Sequence, residues 1–288
     1  MDTEGSSQLL IIEFILIVFL VSIFAGVFGS IVGLGGGVVI VPVLTLLLGV
    51  DIHFAIGASI VAIIGTSSGA ASTYVKDKVT NLRVGMYLEL ASASGAIVGA
   101  AIAAYTNAEA LKLIFGVILL VTIVPTLRKI GEDIPKSPEL KGLAKRLGLK
   151  GSYTETDGTV VEYNATRPVS GLSGTVVAGV LSGLLGIGGG GFKVLSMDLA
   201  MKLPMKVSTT TSNFMIGVTA AASAGIYFAR GDVNPLIVGP VALGILIGAV
   251  IGARILLRSR NPTVRKAFAL VLVATAIEMI LGSLGVIP

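Results

Sequence analysis

The sequence predicts an all-α polytopic membrane protein made of two inverted-topology repeats, and three observations carry that expectation. Of 288 residues, 54% are hydrophobic and only 13% charged, with a mean hydropathy of +0.96. A soluble domain carries about 25% charged residues, so this composition cannot cover a water-exposed surface. It excludes a soluble enzyme, a nucleic-acid binder and a disordered chain. Glu13 and Asp51 bracket 37 residues without a single Asp, Glu, Lys or Arg. As one helix these would extend about 55 Å, nearly twice the ~30 Å hydrocarbon core, so the stretch must break. Finally, the chain repeats itself. Gly33-Leu34-Gly35-Gly36-Gly37 recurs as Gly186-Ile187-Gly188-Gly189-Gly190, and the offset of 153 also pairs Ser59 with Ser212, Thr66 with Thr219, Tyr74 with Tyr227, Asn81 with Asn234 and Phe115 with Phe268. Low-complexity coincidence does not keep Tyr, Asn and Phe in register over that length.

The elements follow in order. The charge-free stretch divides at Gly33 to Gly37 into a long helix over about 9–32 and a short one over about 38–48, glycine being the natural helix breaker. Further spans are expected near 55–75, 84–105 and 111–127. The repeat then places segments at 170–187, 192–203, 207–229, 235–257 and 266–287. Five helical segments per half, each half holding a Gly-rich helix break, imply halves that face opposite ways. Three regions result: a first membrane repeat over 1–127, a linker over 128–168 and a second membrane repeat over 169–288. The linker concentrates eight basic and six acidic residues and reads as aqueous. Within it Pro138 to Leu149 suits a short amphipathic helix. Tyr153 to Thr156 and Thr159 to Tyr163 flank Asp157-Gly158, a two-residue hairpin turn.

Loop charges give the orientation. Loop 49–54 has no Lys or Arg, whereas its counterpart 202–207 has Lys202 and Lys206; loop 76–83 has Lys76, Lys78 and Arg83, against Arg230 alone in 229–236. Loop 106–112 has only Lys112, against Arg258, Arg260, Arg265 and Lys266. The positive-inside rule then expects linker 128–168 in the cytoplasm and both termini outside the cell membrane.

The candidate site lies at the breaks. Irregular backbone survives at membrane depth only where it is buried or lines a cavity, and paired breaks at equivalent repeat positions point to a transport site. Gly35, Gly36, Gly37, Gly188, Gly189 and Gly190 are therefore expected to offer backbone N–H groups to an anion. Thr66 and Ser67 in the next span join them, as do Thr210, Thr211 and Asn213 from the run Ser208 to Asn213, whose side chains could alternatively cap that helix. Lys193, where the first half has Ile40, is expected to meet a small anionic substrate, unless it snorkels or pairs with Asp198. Glu278, aligned with Pro125, is the candidate proton carrier. Glu13 and Glu89 fall near span ends, where solvated carboxylates are ordinary. The G-x-G-x-x-G spelling at Gly186 lacks the strand and βαβ context of a dinucleotide fold. Cysteine is absent and His53 is the sole histidine, so neither a metal site nor a cofactor is expected, and no nucleophile–base constellation suggests an enzyme.

These residues resemble a known family. Ile31-Val32-Gly33-Leu34-Gly35-Gly36-Gly37 with Val41-Pro42-Val43-Leu44 is similar to the amino-terminal motif of the TauE/SafE family of sulfite-exporter-like membrane proteins. Gly65-Thr66-Ser67-Ser68-Gly69-Ala70, Leu184 to Gly190, Thr209-Thr210-Thr211-Ser212 and Arg230-Gly231-Asp232-Val233 extend the resemblance over about 12–285. It implies export of a small sulfur-containing oxyanion such as sulfite or an organosulfonate. The sequence adds alternating access and proton coupling as expectations. A passive anion channel of the same architecture is the alternative, and a non-transporting scaffold that uses the linker is a third.

Overall fold

The computed structural model describes residues 2–32, 35–76, 79–127, 139–154, 158–258 and 262–285. Gly33, Leu34, the start of the expected 138–149 helix and the Asp157 turn position fall outside them. The first half contains α1 (Asp2–Val32), α2 (Gly37–Pro42, continuing as a π-helical turn over Val43–Leu47), α3 (Ile52–Lys76), α4 (Leu82–Tyr105) and α5 (Ala108–Leu127). After the linker come α7 (Pro168–Leu185), α8 (Gly190–Leu195, with a π-helical turn over Ser196–Ala200), α9 (Met205–Arg230), α10 (Pro235–Arg258) and α11 (Pro262–Ser283). Among the described residues, six helices are long and apolar enough to cross a membrane. The π turn occurs in both halves although the second has Leu195 where the first has Pro42, so it belongs to the repeat rather than to the proline.

The bundle is apolar on its outer face, as lipid demands, and its largely apolar interior also holds a set of buried hydroxyls. Leu20, Leu90, Leu243 and Leu270 are exposed, whereas Ser22, Ser92, Thr175, Thr219 and Ser223 are buried. With no water at that depth, these hydroxyls bond backbone carbonyls or each other: Ser22 donates to Val18 O at 2.6 Å and Thr175 to Gly171 O at 2.6 Å.

Glycine sets which helices touch. A Cβ on Gly244, Gly248 or Gly252 of α10 would strike Phe19 O, Ile23 O and Val27 O of α1 in turn, so the two helices run in the same direction with their backbones in contact. Gly95 and Gly99 of α4 meet Val176 O and Val180 O of α7 in the same sense. Helices α3 and α10 also run together, Gly57 against Asp232 and Gly69 against Leu246 and Ala249. So do α4 and α9, which are tied by Asn81 N donating to Thr211 Oγ1 at 3.0 Å and by Ser92 beside Thr219 at 2.8 Å. The contacts of α1 with α10 and of α3 with α10 thus have twins in α7 with α4 and α9 with α4, while α3 packs on α9 and α5 on α11.

The linker is more than an aqueous tether. It forms α6 (Gly142–Arg146) and an antiparallel hairpin, β1 (Lys150–Thr154) with β2 (Val160–Asn164), in register Lys150 to Asn164 and Thr154 to Val160. Strand β1 starts three residues earlier than its β-branched and aromatic content suggests. One face of the hairpin, Tyr153, Val161 and Tyr163, is buried with Leu88, Met201 and Val207 of the membrane helices. Gly151, opposite Tyr163, leaves room for the phenol. That phenol accepts a hydrogen bond from Asn81 Nδ2 at 3.0 Å, while Asn81 Oδ1 caps α4 through Val84 N. Burial pushes the Tyr163 phenol up from its ordinary value, opposed by the Asn81 hydrogen bond, so it is neutral near pH 7. The hairpin is thereby pinned over the starts of α4 and α9.

Candidate functional site

The two breaks meet at the centre of the bundle. Gly35 has φ +78°, and Gly186, Gly188 and Gly189 have φ +63°, +73° and +62°, a region open to glycine at little cost. Helix α7 therefore ends at Leu185 and α8 restarts at Gly190. Ser59 of α3 donates to Gly186 O at 2.5 Å, and a Cβ on Gly37 would collide with both of those oxygens. Ile63 and Ile216, themselves equivalent in the repeat, each lie against both Gly35 and Gly188. Two isoleucines thus pack between the breaks.

The polar residues divide between partners. Asn213 Nδ2 reaches across to Ser30 O of α1 at 3.0 Å, leaving Oδ1 buried without a hydrogen-bond partner. Ser212, one residue earlier, donates to Gly190 O at 3.2 Å. Thr209, one helical turn before both, is fully buried and its hydroxyl also has no hydrogen-bond partner, and the same holds for Ser208. An apolar environment makes such atoms expensive unless something else satisfies them. The capping expectation fails: α9 begins at Met205 after Pro204, with no side-chain cap. Thr210 bonds back to Lys206 O and Val207 O. Thr211 serves Asn81, Thr66 bonds Ala62 O of its own helix, and Ser67 bonds Phe214 O on α9. Of the expected site residues, Gly35 and Gly188 share Ile63 and Ile216 and Gly37 lies against Gly186 O, whereas Gly36 faces Ile245 and Gly189 faces Ala178; Thr66, Thr210 and Thr211 are engaged with their own helix or with Asn81.

Lys193 neither snorkels nor pairs with Asp198. It is fully buried, and its Nζ donates to Thr219 Oγ1 at 2.5 Å and lies 4.0 Å from Glu89 Oε2. Thr219 donates to Glu89 Oε1 at 2.6 Å. A hydroxyl has one proton and two acceptor sites, so with that proton on Glu89 it accepts from Lys193 and from Ser92. Glu89 is only 7% exposed, which overturns its reading as a solvated carboxylate. The sequence did hold a signal: Glu89 and Ser92, three apart, share a helix face inside a span. Glu278, by contrast, is exposed on the outer face of α11, away from this cluster. Among the described residues no group of His, Cys, Asp or Glu could hold a metal ion.

The chain matches the family described as "Sulfite exporter TauE/SafE" over residues 18–279. It is 29% identical over 275 residues to "Probable membrane transporter protein YunE" of Bacillus subtilis, covering 93% of this chain and 97% of the relative. It is also 27% identical over 241 residues to "Probable membrane transporter protein YdhB" of the same organism, covering 83% and 88%. A Sinorhizobium relative, "Probable membrane transporter protein ORF9", is 23% identical over 91% of this chain and 90% of its own length. No solved structure matches the chain. With apolar spans, paired breaks and this match over nearly its whole length, the chain belongs to the TauE/SafE family and is a multi-pass membrane transporter.

Proposed function

We propose that this transporter exports a small sulfur-containing oxyanion, sulfite or an organosulfonate, across the cell membrane by alternating access coupled to protons. In this reading the halves 1–127 and 169–288 are inverted repeats that rock against each other, with the linker 128–168 cytoplasmic and both termini outside. The directions of the helix pairs support the inversion: α1 runs with α10 and α3, α7 runs with α4 and α9, and short loops reverse α3 into α4 and α9 into α10. The observation that carries the substrate reading is a pair of buried, unsatisfied hydroxyls about one helical turn before Ser212, which itself bonds Gly190 O. The Thr209 and Ser208 hydroxyls are donors without acceptors, which an oxyanion would supply. Ile63 and Ile216, packed against both Gly35 and Gly188, are the side chains that a rocking motion would part.

The test is flux in proteoliposomes loaded with radiolabelled sulfite. Wild type is expected to give saturable efflux that unlabelled external sulfite accelerates; a passive channel shows no such acceleration. Thr209→Val removes a hydroxyl that holds no partner in the fold, so stability should be unchanged or slightly higher. Flux should fall about tenfold, the equivalent of one lost hydrogen bond of about 1.4 kcal/mol. Unchanged flux in that variant removes Thr209 from the site.

A further inference from the structure

We propose that Glu89 binds the coupling proton and competes with the transported anion for Lys193, an inference that rests on the transport reading above. Lys193 is fully buried at membrane depth, where a charge is costly unless matched. The match comes from the other half of the molecule: Glu89 stands on α4 and Lys193 on α8, with Thr219 of α9 bridging them. Among the described residues no other ionisable side chain is bonded to the pair: α5, which touches α8, has only Glu109 and Lys112, in its opening turns, and α3, which packs on α9, has only His53 and Lys76, at its ends. Helix α7, packed along α4, has no ionisable side chain, and Lys206 and Arg230 sit at the two ends of α9. Asp198 is half-buried in the π turn beyond α8.

The arrangement, which joins the two halves, has no repeat-related copy. At the equivalent positions stand Ile40 for Lys193 and Ala242 for Glu89, with Ile245 matching Ser92; only Thr66 matches Thr219. A helix packing role would be served by the apolar version, as it is there. Burying an ion pair where isoleucine and alanine suffice gains little stability, so a use beyond packing is indicated.

Glu89 Oε2 supplies the means. It has no hydrogen-bond partner, so a proton can be added there without breaking a bond to the protein. With Glu89 ionised, the site holds one negative and one positive charge and is neutral. Adding the proton to Oε2 leaves the Lys193 ammonium unmatched, and a monoanion restores neutrality. No bond other than the new O–H forms, and the loaded site again has no net charge. Proton and anion therefore travel together, electroneutrally, down the sum of their two gradients. An anion made inside the cell leaves down its own gradient without opposition or help from the membrane potential.

Methanesulfonate, a permanent monoanion, and sulfite are the probes, in proteoliposomes with pH and potential set independently. Wild-type flux should ignore the potential and rise with acid on the loaded side by up to about tenfold per pH unit, the limit for one bound proton. Glu89→Gln keeps the acceptor for Thr219 but carries neither charge nor a titratable proton. Its flux should lose the pH dependence and become potential-driven, while Glu89→Asp retains wild-type coupling. In detergent, methanesulfonate binding to wild type should take up protons from a weakly buffered solution, a measurement that needs no variant. Binding without proton uptake, or Glu89→Gln flux that stays electroneutral and acid-accelerated, overturns the inference and leaves the transport reading standing. Wild-type vesicles that move neither probe overturn both.

Discussion

Lys193→Met is expected to destabilise the fold by about 3–5 kcal/mol, the cost of leaving a buried charge without its partner. Its ammonium is fully buried and Glu89 is 7% exposed, so neither charge can turn to water when the other is removed. Glu89→Leu should cost as much, because it strands the ammonium; the Thr219 proton can turn to Met215 O. The double variant Lys193→Met/Glu89→Leu should recover most of the loss, since its buried surface then resembles the apolar counterpart at Ile40 and Ala242. Thermal unfolding of the four proteins in detergent gives the coupling directly. Two losses that simply add would mean that the pair does not interact. The double variant should remain folded yet carry no sulfite, which separates the role of the pair in transport from its role in stability.

Gly99→Val should yield no folded protein at all. A Cβ there would stand 2.0 Å from Val180 O and 2.8 Å from Leu184 N, both backbone atoms that no rotamer change can move. Overpacking in a flexible core costs about 1–3 kcal/mol. Here α4 and α7 must separate along their length, and in lipid it is close backbone packing rather than hydrophobic burial that holds helices together. Gly252→Val, against Val27 O on the twin contact, should behave the same way. Gly225→Ala and Gly239→Ala meet nothing within 4 Å and should be tolerated or slightly stabilising. Expression followed by size-exclusion chromatography in detergent distinguishes the two groups, and a monodisperse Gly99→Val would show that the helix contact is looser than described.

Much of this architecture was legible because a membrane imposes long-range rules on a sequence. The charge-free stretch from Glu13 to Asp51 is too long for one crossing, and only its glycines could divide it; α1 ends at Val32 and α2 begins at Gly37. The repeat then carried those boundaries to α7 and α8. What composition cannot reveal is which way a side chain faces. Glu89 and Glu278 are both carboxylates within apolar helices, and distance from the span end favoured the wrong one as the interior group. Facing is set by the neighbouring helix, and the placement of α4 against α9 is a tertiary fact. The hydroxyl run Ser208 to Asn213 shows the same limit. Its members point around the helix toward Gly190, Ser30, Asn81 and their own backbone, and only the unsatisfied ones are free for a ligand. The linker hairpin was visible as turn chemistry, but its burial depends on Asn81 and the methionines of the second half, far away in sequence.

The most direct test of the inverted arrangement uses the absence of native cysteine. Asp51→Cys and Lys202→Cys introduce single thiols at exposed positions in the two loops that follow the equivalent π turns. With a membrane-impermeant maleimide on intact cells, Asp51→Cys should label fully, and Lys202→Cys only after the membrane is opened. Labelling of both from the same side would contradict the opposed halves, and alternating access between them would go with it.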